Sequence, residues 1–184
     1  GSQAADLKKT AAGTLQIRAE KGVLKKFSIL SKIFSLLNVS QLVRLKLPDM
    51  AKDGMPYSAI TANASVQNGV FYSKDFFLAG EAMEISVAGS VDMFRKELDC
   101  IAGIHPLQTL DLVASKMPVV GWLILDKNGN LLTIYVKING AWKDPNVKPM
   151  PVKSIGMETL GVFRRLFQLP EKLITDTGEV LLGN

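Results

Sequence analysis

Cysteine and histidine are almost missing from this sequence: Cys100 and His105 stand alone among 184 residues. One cysteine excludes an internal disulfide, and the pair cannot assemble a metal site at ordinary ligand spacing. Cys100 falls on the apolar side of a strand and reads as a small buried hydrophobe. His105, beside Pro106 at a strand end, reads as structural. No apolar run approaches the roughly eighteen residues needed to span a bilayer, and no signal peptide is visible. Glycines fall singly, at turns, so no glycine-rich loop is present to cradle a phosphate. There is no Gly-x-Ser-x-Gly turn to present a nucleophile. Asp92, Glu97 and Asp99 cluster around one hairpin but sit on the wet faces of their strands, whereas a hydrolase pair must converge in a cleft. The net charge is +5, yet the basic residues are scattered and not interleaved with aromatics. This speaks against nucleic acid and leaves attraction to a phospholipid or membrane surface open. No enzyme and no cofactor is expected.

What is present is apolar alternation. The chain is 47% hydrophobic and 21% charged, enough for one domain with a real core. Gly1-Ser2 reads as a cloning scar, residues 1–12 as tag and lead-in, and residues 13–184 as a single domain. From Ser58 to Ile104 four strands follow one another. Ile60, Ala62, Ala64 and Val66 alternate with Thr61, Asn63, Ser65 and Gln67. After the hairpin dipeptide Asn68-Gly69, Val70, Tyr72, Phe76 and Leu78 share a face, with Lys74 interrupting. Met83, Ile85, Val87, Val91 and Met93 follow beyond Gly80-Glu81, then Leu98, Cys100, Ala102 and Ile104. A period of two with short connections predicts an antiparallel meander with one dry and one wet face. Leu15, Ile17 and Ala19 predict a short strand ended by Gly22, and Leu132 to Ile138 a further strand. Pro149 and Pro151 confine residues 146–152 to an edge.

Three stretches carry helical spacing: Val23 to Leu37, Leu107 to Met117 and Thr159 to Phe167. Each has an apolar stripe, read either as a membrane-surface helix or as a cover packed on the sheet. A cover is favoured, because an apolar sheet face needs one. Ser40 to Leu45 reads as a short further helix. Val119 to Leu125 is ambiguous: Asn128-Gly129 suggests a hairpin, and one more helical turn is the alternative.

Several segments occur in a familiar order. Leu30-Ser31-Lys32 to Leu37-Asn38-Val39 precedes Leu47-Pro48-Asp49, Gly54-Met55-Pro56-Tyr57 and Gln67-Asn68-Gly69-Val70. Ile104-His105-Pro106-Leu107, Met117-Pro118-Val119-Val120-Gly121 and Asn139-Gly140-Ala141-Trp142-Lys143-Asp144-Pro145 come later. Over roughly Gly13 to Leu169 this series resembles the C-terminal region of the AsmA-like proteins, nearest the YhdP branch. The resemblance implies a periplasmic module anchored to the inner membrane through a segment absent from this sequence. It also implies a long β-structure with an apolar groove, implicated in phospholipid transport between the membranes, whose remainder is the natural partner of this piece. It further favours a helix over Val119 to Asp126.

The expected fold is therefore α+β: an antiparallel, curved β-meander with amphipathic helices covering its apolar face. Ile60, Ala62, Val66, Met83, Ile85, Val87, Val91, Ile134 and Val136 are the lipid-facing or core candidates. Phe27, Leu30 and Phe34 are the candidates for the covering helix. Two readings of that face compete: a conduit or cap for lipid, and an envelope-assembly module that binds no lipid itself.

Overall fold

The computed structural model describes residues 12–25, 29, 32, 54–81, 83–107, 123–125 and 131–168. The strands are β1 (Ala12–Leu24), β2 (Met55–Gln67), β3 (Val70–Gly80), β4 (Met83–Asp92), β5 (Glu97–Pro106), β6 (Leu123–Leu125), β7 (Leu131–Ala141) and β8 (Asn146–Pro149). A 3-10 turn, Val152–Ser154, leads into helix α1 (Met157–Leu166). The strands form one eight-stranded sheet in the order β1-β2-β3-β4-β5-β7-β6, with β8 also on β7. Every pairing is antiparallel. The meander and the α+β class stand as the alternation predicts.

Local chemistry explains the reversals. Asn68 and Gly69 both take positive φ, 51° and 75°, as a two-residue hairpin requires. The β4–β5 turn closes through Lys96 at φ 58°. There, Asp92 Oδ1 accepts from the backbone N–H groups of Phe94 and Arg95, each at 2.9 Å. The turn after β7 is tied to this one, since the Trp142 N–H donates to the Lys96 carbonyl at 2.9 Å.

Four expectations need correction. First, Gly22 does not end β1 and no helix starts at Val23, because the strand runs to Leu24. Lys21, at φ 48°, slips the alternation there, so Leu24 packs with the core cluster while Val23 is exposed. Second, β3 carries a bulge. Thr61 pairs with Phe77 but Ala64 with Ser73, and Ser73 pairs with Gly89 but Phe76 with Val87. One extra residue in β3 moves Phe71, and not Tyr72, onto the face of Phe76 and Leu78. Third, Leu123–Leu125 is a strand paired with Leu131 to Ile134; the hairpin reading holds there and the helical one does not. Fourth, the supposed wet face is not wet throughout.

That last correction shapes the molecule. On the core face, Met55, Leu78, Met83, Ile85, Cys100, Ala102, Ile104, Ile134, Val136 and Ile138 form one buried cluster. The opposite, back face carries Ala59, Phe77, Ala79, Ala88, Ile101 and Tyr135, and α1 covers them with Leu160, Val162, Phe163 and Leu166. Tyr135 stacks on Phe163 at 6.0 Å between ring centroids. Arg164 and Arg165 point to solvent. Small residues let the helix come close. A Cβ on Gly103 would lie 3.1 Å from the Tyr135 ring and 3.2 Å from the Phe163 and Phe167 rings. Of the three predicted covers, this one therefore lies behind the apolar face, not across it.

Candidate functional site

The candidate site is the core face, and register decides how its residues meet. Ala19, Ile60, Leu78, Ile85, Ile104 and Ile134 are successive partners across six strands. The next row is Phe76, Val87, Ala102 and Val136. Then comes a row of smaller side chains, Ala64, Ser73, Gly89, Cys100 and Ile138. A last row, Val66, Phe71, Val91 and Leu98, lies toward the turns.

Burial follows these rows. Met83, Ile104 and Ile134 are each 1% exposed and Val136 is 0% exposed. Ile85 and Ala62 are also buried. Ile60 and Val87 are half-buried and pack on the cluster. Val66 and Val91, near the turns, are half-buried. Within the first two rows Leu78, Ile85, Ala102, Ile104, Ile134 and Val136 are a closed core, in which each large aliphatic side chain contributes about 1.5–3 kcal/mol by leaving water. Toward the free edge the same face opens: Leu15 and Ile17 on β1 are 41% and 39% exposed. No other described strand pairs with the outer edge of β1.

Phe27, Leu30 and Phe34 lie outside the described residues, as do the predicted helices over Ser40 to Leu45 and most of Leu107 to Met117. Ile29 and Lys32 are described, and both are helical. Ile29 packs on the core cluster. The Lys32 ammonium donates to Asp144 Oδ1 at 2.5 Å and to the Pro145 carbonyl at 2.6 Å. Ile29 thus meets the core face and Lys32 the β7–β8 turn. The Lys32 hydrogen bond and charge hold the Asp144 carboxyl below its ordinary range.

Of the polar residues weighed for catalysis, His105, Asp92, Asp99 and Cys100 make other contacts. The His105 ring stacks on Phe167 at 5.4 Å and its Nδ1 lies 3.4 Å from Thr133 Oγ1. Asp99 is ion-paired with Lys137, and Asp92 caps its turn. Cys100 is buried, its thiol donating to the Ser90 carbonyl at 3.4 Å, and burial pushes that thiol above its ordinary range. Among the described residues no group of three or more histidine, cysteine and acidic side chains could hold a metal ion. No described helix is long and apolar enough to cross a membrane.

Sequence reasoning missed the bulge in β3 as a built feature. Asp75 accepts from the Asn63 backbone N–H at 2.9 Å, from Asn63 Nδ2 at 2.7 Å and from the Ser73 hydroxyl at 3.2 Å. Its carboxylate replaces the ladder partner that the extra residue takes away. The signal was the Lys74-Asp75 pair, two charges in the middle of an apolar strand.

No curated protein and no solved structure matches the chain. The model of the YhdP protein family matches residues 2–147, which include β1 to β7 and the whole core face. The chain therefore belongs to the YhdP family of AsmA-like envelope proteins.

Proposed function

We propose that this chain is a non-enzymatic periplasmic module that caps an apolar β-groove used in phospholipid transport between the inner and outer membranes. In this reading the rest of the same longer protein, anchored in the inner membrane, adds its strands to the free edge of β1. Acyl chains then meet the module only along that edge. One observation carries the proposal: the core face is closed at Ile85, Ile104, Ile134 and Val136 but open at Leu15 and Ile17, on the strand whose outer edge has no described partner. A long edge strand with exposed apolar side chains invites another strand. A closed, close-packed interior leaves no room for an acyl chain.

Photocrosslinking in cells tests this. A benzophenone side chain at position 15 or 17 is expected to capture phospholipid and upstream segments of the same protein, and one at 85 or 136 neither. Lipid captured at 85 or 136, or phospholipid copurifying at one per chain, would make the module itself the conduit. Upstream protein without lipid at 15 and 17 would favour the second reading, an assembly module for outer-membrane biogenesis.

A further inference from the structure

Helix α1 covers the middle of the back face and stops short of β1. In the uncovered corner, β1, β2 and β3 enclose a shallow cleft of about 580 Å3. Its walls mix the apolar Leu15 and Ala64 and the Tyr72 ring with the polar Gln16, Asn63 and Ser65, and Lys74 and Asp75 stand at its end.

The polar groups are arranged and their charges are paired. Gln16 stands opposite Asn63, and Ser65 opposite Tyr72. Asp75 orients the Asn63 amide by accepting from its Nδ2, and accepts also from the Asn63 N–H and the Ser73 hydroxyl. The Lys74 ammonium is held at 2.7 Å by Glu158 in the first turn of α1. Lys74 and Glu158 together leave the cleft near neutral, although an exposed pair of this kind is weak and does not by itself bar an anion. A wholly apolar ligand would bury the Gln16, Asn63 and Ser65 side chains without partners, which is costly. The Tyr72 ring, 47% exposed, offers a flat apolar surface with a polar rim.

A neutral ring with one C–H face and hydroxyls at its edge satisfies all of these groups together. We propose that the cleft binds a hexopyranose unit of a neutral oligosaccharide, stacked on Tyr72 and hydrogen-bonded by the amides of Gln16 and Asn63. The site lies on the face opposite the groove and does not depend on lipid binding.

The test is an amide chemical-shift titration of the 184-residue chain with maltose and with N,N′-diacetylchitobiose. Saturable shifts in the millimolar range are expected at Gln16, Asn63, Ser65 and Tyr72, and none at Phe163. Tyr72→Ala is expected to weaken binding by roughly tenfold or more, while Tyr72→Phe, which keeps the ring, stays within about threefold of the parent. The proposal is overturned if neither sugar shifts these amides, if the shifts survive Tyr72→Ala, or if glycerol produces the same shifts.

Discussion

At Gly89 the backbone of β5 leaves no room for a side chain on β4. The Gly89 φ is +148°, and a Cβ there would lie 2.3 Å from the Asp99 carbonyl oxygen and 2.5 Å from the Cys100 Cα. Both neighbours are backbone, so no side-chain rotation relieves the overlap. Nor is β5 free to retreat, because Cys100 pairs with Gly89 on one side and Ile138 on the other, and Asp99 pairs with Asn139. Gly89→Ala therefore carries two costs. Backbone strain contributes about 1–3 kcal/mol, and forcing a methyl into packed backbone about 1–3 kcal/mol more. The sum, roughly 2–6 kcal/mol, is a large part of the roughly 5–15 kcal/mol that holds a domain folded. Gly140→Ala is the control: φ is +90° there too, but nothing lies within 4 Å of the added methyl. It should lose only the strain share. Urea unfolding followed by circular dichroism reads both as midpoint shifts at constant slope. A Gly89→Ala loss no larger than that of Gly140→Ala would refute the close-approach reasoning.

The Ser86 hydroxyl is fully buried and has no hydrogen-bond partner among the described residues, so Ser86→Ala is expected to be neutral or stabilising by up to about 1 kcal/mol in the same assay; a loss above that would reveal a bond the fold depends on. Burial raises both the Cys100 thiol and the Tyr135 phenol above their ordinary ranges. Their contribution to stability is thus intact below the ordinary values and declines as rising pH ionises them in the unfolded chain. Unfolding free energy should fall above about pH 9, and Tyr135→Phe should remove the part that falls near the ordinary phenol value of about 10. An unchanged alkaline slope in that variant would contradict the assignment.

The order and pairing of β2 to β5 and the existence of β7 were legible because period two, held over several residues and punctuated by Asn-Gly or a four-residue turn, admits few alternatives; that β7 lies beside β5 was not. What escaped is what a period cannot carry. At Lys74-Asp75 an extra residue shifts phase, yet Phe71 and Tyr72 both look like core residues, so either phase fits the letters. At Lys21 a charged residue took positive φ without the glycine or asparagine that advertises it, and Gly22 beside it drew the strand end two residues too early. The α1 stripe of Leu160, Phe163, Leu166 and Phe167 was plain, but a stripe does not name the surface it meets. Only the register shows that Ala59, Phe77, Ala79, Ala88, Gly103 and Tyr135 collect on one face as a seat for it.

The candidate site was legible to the same degree and for the same reason. Alternation puts Ile60, Met83, Ile85, Val87, Ile134 and Val136 on one face, and these residues meet in or against one cluster. It could not separate a groove from a core, because both need one continuous apolar face. The distinction lies in the cover, and a cover is a long-range relation. Ile29 packs on the cluster, and three residues later Lys32 bonds to Asp144 and Pro145, more than a hundred positions away. No local pattern announces that link. Once it is in place, the face grades from closed rows at Ile85 and Val136 to open side chains at Leu15 and Ile17. The grading restricts any lipid role physically: an acyl chain entering the closed rows would have to displace side chains each holding about 1.5–3 kcal/mol of burial, whereas at β1 it would cover surface that is already exposed to water.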